Sequence, residues 1–266
     1  MKEQEINTGV LKKKPASFNI LARPETMVAL AIILLFILLS ILRPQTFPTV
    51  RNIFNICRQS SLVAILAVGM GLVIVTGGID LSVGAVIALS ACLGAWSYRQ
   101  LGAPPYVVLI LILGIGAVAG LINGTLIAKL GIPPFIVTLG MLSVCTGAAL
   151  LISKGAPIRY DPSWISVFGG AYIGAMPVSV LVMLCVVLAG FVFANLTLTG
   201  RNIYAVGNSQ RAAKLSGIFV DRIIIVVYVI IGVLSGLCGL LLIGQMNSAD
   251  PSFGKGYELD VIAATV

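Results

Sequence analysis

Long apolar runs separated by short polar breaks dominate the chain. They cover Met27–Leu42, Ile53–Thr76, Leu81–Tyr98, Tyr106–Ala128, Pro133–Ile152, Val178–Leu198 and Ile223–Gly244. Each approaches the roughly 20 residues with which a helix crosses a hydrocarbon core about 30 Å thick. An eighth run starts near Leu259 and ends with the chain inside VIAATV, so a C-terminally truncated sequence is expected. The pattern predicts an all-α, polytopic transmembrane helix bundle of about 7–8 spans, with a tail at 1–26 and one membrane domain at 27–266. Lys12, Lys13 and Lys14 precede the first run as they would in a signal peptide. Arg43-Pro44 follows it in place of a small-residue cleavage site, so a retained helix is expected.

Composition agrees. Hydrophobic residues make up 59% of the chain and charged residues 10%, against about 25% charged in soluble domains. The net charge of +8 does not point to nucleic acid. The cations sit in short clusters between apolar runs, and no basic face with interleaved aromatics is present to track a phosphate backbone. The five cysteines lie in or beside apolar runs without CxxC spacing, and the chain has no histidine. A Cys/His metal site is therefore excluded, and a disulfide framework is not expected.

Cation placement predicts the orientation. With the N-terminus inside and every run crossing once, ten of the 17 cations fall inside: Lys2, Lys12, Lys13, Lys14, Arg23, Lys129, Arg201, Arg211, Lys214 and Arg222. The loop at 200–222 is then cytoplasmic. The longest outside loop, Lys154–Pro177, carries Tyr160, Trp164 and Tyr172, read either as interface aromatics or as a docking surface for an external partner. Gly114, Gly116, Gly120 and Gly124 put small residues along one helix, which permits close helix contact in lipid. No internal repeat is evident.

Four polar segments carry candidate chemistry. In the first, Gly77-Gly78-Ile79-Asp80-Leu81-Ser82-Val83-Gly84, glycines free the backbone and Asp80 places a carboxylate between apolar runs. A charge at the bilayer centre costs about 2.5–3.5 kcal/mol, so Asp80 needs an interface, a cavity or a partner. Two readings stand: Asp80 or Ser82 caps the next helix, or the segment (Gly78, Asp80, Ser82 and Gly84) gates or lines a pathway. The second, Asn123–Thr138, is a tight hairpin. Lys129-Leu130-Gly131 ends one helix and Pro133-Pro134 starts the next. Asn123, Thr138 and Asn195 are polar groups within apolar runs, open to interhelical bonding or to a substrate pathway. In the third, 200–222, Gln210–Leu215 is predicted helical, capped by Asn208 or Ser209 and ended by Ser216-Gly217. So short a helix must pack on something, either the protein's own face or a partner subunit. In the fourth, Gln245–Asp260 is expected to be an outside polar loop, with Glu258 and Asp260 at the start of the last helix, where acids favour the dipole.

AVGMGLVIVTGGIDLSVG, PFIVTLGML, GRNIYAVGNSQRAAKLSGI and GYELDVIAA, in this order and spacing, resemble the permease subunits of carbohydrate ATP-binding-cassette importers, the ribose-permease-like family. The resemblance spans almost the whole chain. It implies a prokaryotic inner-membrane protein with three kinds of partner. These are a cytoplasmic ATP-binding subunit that uses the ATP, an external or periplasmic sugar-binding protein, and a second permease copy or paralogue. Membrane lipid surrounds the assembly.

The resemblance also makes 200–222 the ATPase-coupling segment, carried here by Asn208, Gln210, Arg211, Ala212, Ala213, Lys214, Leu215, Ser216 and Gly217. Where the family tends to have a second glycine, an asparagine and an acid after Gly207, this chain has Asn208, Ser209 and Gln210, which alters the expected ATPase contacts. No GxxxxGK[ST] phosphate loop, paired catalytic carboxylates or metal cluster is present, so neither catalytic residues nor a cofactor is assigned to this chain. Competing readings are a permease for a non-sugar solute such as branched-chain amino acids, and an ion-coupled secondary transporter.

Overall fold

The computed structural model describes residues 24–160 and 163–266. Most of the tail expected at 1–26 therefore lies outside the described residues. The helices, in chain order, are α1 (Pro24–Leu42), α2 (Val50–Val75), α3 (Val83–Leu101), α4 (Pro105–Leu130), α5 (Pro134–Ser153), α6 (Ser163–Gly169), α7 (Val178–Leu196), α8 (Leu198–Asn208), α9 (Gln210–Leu215), α10 (Val220–Met246) and α11 (Tyr257–Thr265). Among the described residues, the two-residue strands β1 (Ile158–Arg159), β2 (Tyr172–Ile173), β3 (Met176–Pro177) and β4 (Ser248–Ala249) form the antiparallel pairs β1–β4 and β2–β3.

The described residues form two compact units, divided between Asn52 and Ile53. In the first, α1 is followed by a turn in which Phe36 stacks on Phe47 at 5.2 Å and the Asn52 side chain donates to the Phe47 carbonyl at 2.9 Å.

In the second unit α10 is the central element. Its most apolar stretch is 61% buried, against 17% for α7. An unusually close antiparallel contact with α4 explains this. A methyl on Gly116 would strike the Gly232 carbonyl, one on Gly120 the Tyr228 carbonyl, and one on Gly124 would lie 2.8 Å from Ile225 Cα. Gly232 and Gly236 return the contact against Gly116 and Ile112. Lipid gives no hydrophobic drive between helices, so dispersion contacts between backbones must hold them. Gly114, grouped with these residues by sequence, faces open space instead. The contact follows the i, i+4 face of Gly116, Gly120 and Gly124.

Among the described residues, five helices have the length and hydropathy to cross a membrane: α2, α4, α5, α7 and α10. A shorter apolar helix covers Thr26–Leu42. The expected count of 7–8 is thus not reached by that criterion. The run read as the third span forms α3, which starts at Val83 and is rich in small, buried residues. It is enclosed by protein rather than apolar in its own right. Ile87 lies against Gly239, and Tyr98 stacks at 4.8 Å on Tyr160, whose N–H bonds the Asn247 carbonyl. Helix α3 therefore runs parallel to the second half of α10.

Two expected loops are folded. The 154–177 region holds β1, α6, β2 and β3, and α6 docks on α10 through Gly169 and Gly244. The 245–260 region does not extend away as a simple outer loop. After β4 it turns back until Gly254 meets the backbone of Gly84, and α11 begins at Tyr257.

The packing yields a sign test. Gly120→Ala should lose about 1–3 kcal/mol through overpacking. Gly114→Ala, in open space, should gain up to about 1 kcal/mol of helix propensity. Thermal midpoints of the purified variants should move in opposite directions.

Candidate functional site

The backbone between α2 and α3 is broken, and sequence forces the break. Gly77 sits at φ +83°, a region open to glycine, and the last carbonyls of α2 are bonded by Thr76, Gly77 and Gly78 N–H groups. Ser82 N–H donates to Asp80 Oδ1 at 2.8 Å and Ser82 Oγ donates to the same oxygen at 2.6 Å. The capping reading is therefore corrected. No side chain caps the α3 amides, and Asp80 instead closes a turn on Ser82 just before the helix.

Neighbouring helices complete the site. Asn123 of α4 donates Nδ2–H to Ser82 Oγ at 3.1 Å, while Thr138 of α5 sits 3.4 Å from the Ile79 carbonyl and 3.0 Å from its own Pro134 carbonyl. Asp80, Ser82, Asn123 and Thr138 are all buried. Asn123 precedes the end of α4 by about 10 Å at 1.5 Å per residue, so the cluster lies within the bundle. The structure thus joins the residues proposed for gating to two of those proposed for a pathway. Asn195 is not among them; it is exposed and bonds Phe191 within its own helix.

Sequence reading missed two contributors. One is Tyr228 of α10, buried with its hydroxyl unpartnered; a methyl on Gly78 would fall 2.5 Å from that oxygen. A tyrosine in an apolar run was the available signal, since its polar tip seeks a polar setting.

The other is a second copy of the turn. Asp250 Oδ1 accepts from Ser252 N at 2.8 Å and from Ser252 Oγ at 2.6 Å, as Asp80 does from Ser82. Asp-x-Ser-x-Gly occurs at 80–84 and again at 250–254, and the two terminal glycines touch backbone to backbone. The expectation of no internal repeat fails at this five-residue scale. A methyl on Gly84 would strike the Gly254 carbonyl and lie 3.0 Å from Glu258 Oε2.

At this same C-terminal end of α2, the chain from 198 onward comes into contact. A methyl on Gly207 of α8 would strike the Val75 carbonyl. Helix α9 follows, its amide at Ala212 capped by Ser209 Oγ at 3.2 Å, with Gly217 at φ +82° ending the segment. A cleft of about 300 Å³ is lined by Thr76, Gly77, Gly78, Pro133, Gln210 and Tyr228. It brings α9 and the broken segment to one space. Ala213 is the buried residue of α9; Arg211, Ala212, Lys214 and Leu215 are exposed.

The two turns make a controlled comparison. Ser82→Ala strips a buried carboxylate of its hydroxyl donor and removes the acceptor that Ser82 offers Asn123, so it should cost about 1–3 kcal/mol. Ser252→Ala removes the same bond at an exposed position and should stay within about 0.5 kcal/mol. Thermal unfolding of the two variants measures the difference.

Residues 52–266 match the family described as branched-chain amino acid transport system / permease component. The chain is 39% identical over 241 residues to the ribose import permease protein RbsC of Escherichia coli K12, covering 89% of this chain and 74% of that protein. It is 41% identical over 242 residues to RbsC of Bacillus subtilis, with the same coverage. To the fructose import permease protein FruG of Bifidobacterium longum it is 36% identical over 250 residues, covering 89% and 73%. No solved structure matches. The matched region contains the buried turn, its Asp-x-Ser-x-Gly partner and α9 together, and the chain accordingly belongs to this family of transport permease components.

Proposed function

We propose that this chain is the membrane subunit of an importer for a monosaccharide of the ribose type, driven by a separate cytoplasmic ATPase. The N-terminus and 200–222 are cytoplasmic in this reading, and α1 and α3 cross in addition to the five long apolar helices. The observation that carries it is the surface of α9. Leu215 is 84% exposed on a helix too short to persist without packing. A large apolar side chain held outward beside Arg211 and Lys214 suits insertion into a partner's groove. Identity of 39–41% to ribose import permeases supports the sugar assignment.

The route from motor to pathway follows the contacts. An ATPase moving α9 also moves α8, whose Gly207 abuts Val75. Val75 ends the helix that leads into the Asp80 turn. Displacement at α9 therefore reaches Asp80 and Ser82 through backbone contact and Asn123 through its bond to Ser82 Oγ, and the bundle alternates between its two faces. A solute-binding protein delivers the sugar at the end carrying β1 and β4, and a second permease copy or paralogue completes the pore. The family description keeps branched-chain amino acids as the second reading for cargo.

Leu215→Asp should abolish co-purification of the ATPase and cut ATP-dependent ribose uptake in proteoliposomes at least tenfold, without lowering the thermal midpoint of the isolated chain. Uptake unaffected by the substitution, or uptake without the ATPase, would remove the coupling role. Uptake of leucine in place of ribose would favour the second reading.

A further inference from the structure

A different cleft, of about 490 Å³, opens where the end of α4 meets the turn from α9 into α10. Three cations from three helices line it: Lys129 in the last turn of α4, Lys214 of α9 and Arg222 in the first turn of α10. One acid, Asp221, shares the lining. No ion pair engages any of the three cations among the described residues. The Arg222 guanidinium lies over the Phe219 ring at 4.5 Å, which steadies it at the cleft.

Phe219 and Ile225 give the lining apolar surface, and Phe219 is 67% exposed. Leu130 and Val226, next in sequence to the lining Lys129 and Ile225, are also exposed. Because α4 and α10 are both long enough to span, their adjoining ends lie at the level of the headgroups, and exposed apolar residues beside them face acyl chains.

We propose that this cleft binds the phosphodiester headgroup of an anionic glycerophospholipid. Basic clefts between transmembrane helices recognise such headgroups through charge-assisted hydrogen bonds to phosphate oxygens. Lys129 and Arg222 hold the phosphate from the two spanning helices, and Lys214 joins from α9. Phe219 and Ile225 carry the glycerol and the first part of the chains. The competing occupant, a protein partner reaching past α9, has less claim on this cleft, because the lining Ile225 lies beyond the first turn of a spanning helix. The site itself is independent of the transport reading. Its consequence, a lipid tether on the hinge between α9 and α10, rests on α9 being the coupling segment.

Native mass spectrometry of the purified full chain tests the binding directly, with phosphatidylglycerol and phosphatidylcholine titrated separately. Phosphatidylglycerol should be retained in preference, and K129Q/R222Q should weaken that retention about 30-fold, the effect of removing two interfacial cations. K129R/R222K, which keeps the charge, should retain it, and R99Q/K255Q, with cations elsewhere, should match the unaltered chain. Excess inorganic phosphate should leave the lipid bound. Equal retention by K129Q/R222Q with its thermal midpoint preserved overturns the proposal. So does displacement by inorganic phosphate, which makes this a free-anion site. A variant that keeps the lipid but loses the ATPase likewise overturns it and assigns the cleft to the protein partner.

Discussion

A helix that stops inside a membrane bundle leaves amides and carbonyls that lipid cannot serve. Everything around residues 76–84 answers that constraint. Thr76, Gly77 and Gly78 close the end of α2, the Asp80 carboxylate gathers the N–H and O–H of Ser82, and Asn123 and Thr138 reach in from α4 and α5. Gly84 admits the returning backbone at Gly254, since any side chain at either position would hold the two apart. A buried carboxylate is costly, and here hydrogen bonds surround it without a cation partner among the described residues. It organises a break that two packed helices cannot supply.

The close approach of α4 to α10 serves the same end. Glycines at 116, 120, 124, 232 and 236 let the two backbones touch, and that contact brings Asn123 of α4 and Tyr228 of α10 together at the break. The Gly207–Val75 contact then links α8 to the segment just before it. Three glycine-mediated contacts thus set where the polar cluster lies and what can displace it. Side-chain contacts, with their rotamer freedom, would transmit the same displacement less faithfully.

Much of this was legible in sequence. Apolar runs marked the long helices, Gly131 and Pro133-Pro134 marked the α4–α5 hairpin, and Asn208 or Ser209 with Ser216-Gly217 marked the ends of α9, because each rests on local chemistry. What sequence hid was long-range. The α3 run looked like a span by length, yet its small residues serve burial within protein. Asn195 resembled Asn123 in its apolar setting, and only helix rotation separates a residue bonded to its own turn from one bonded to Ser82. The 250–254 turn looked like a loop because its partner lies about 170 residues earlier, and a polar stretch carries no sign of which backbone it meets. The repeated Asp-x-Ser-x-Gly was visible, though too short to weigh without the contact between its glycines.

A cryo-electron density map of the permease in nanodiscs tests the central claim most directly. Side-chain density should show Ser82 between Asp80 and Asn123, with the Gly84 and Gly254 backbones in contact inside the bundle. Density that carries residues 250–256 outward beyond the end of α10, leaving Gly84 facing lipid or water, would contradict it.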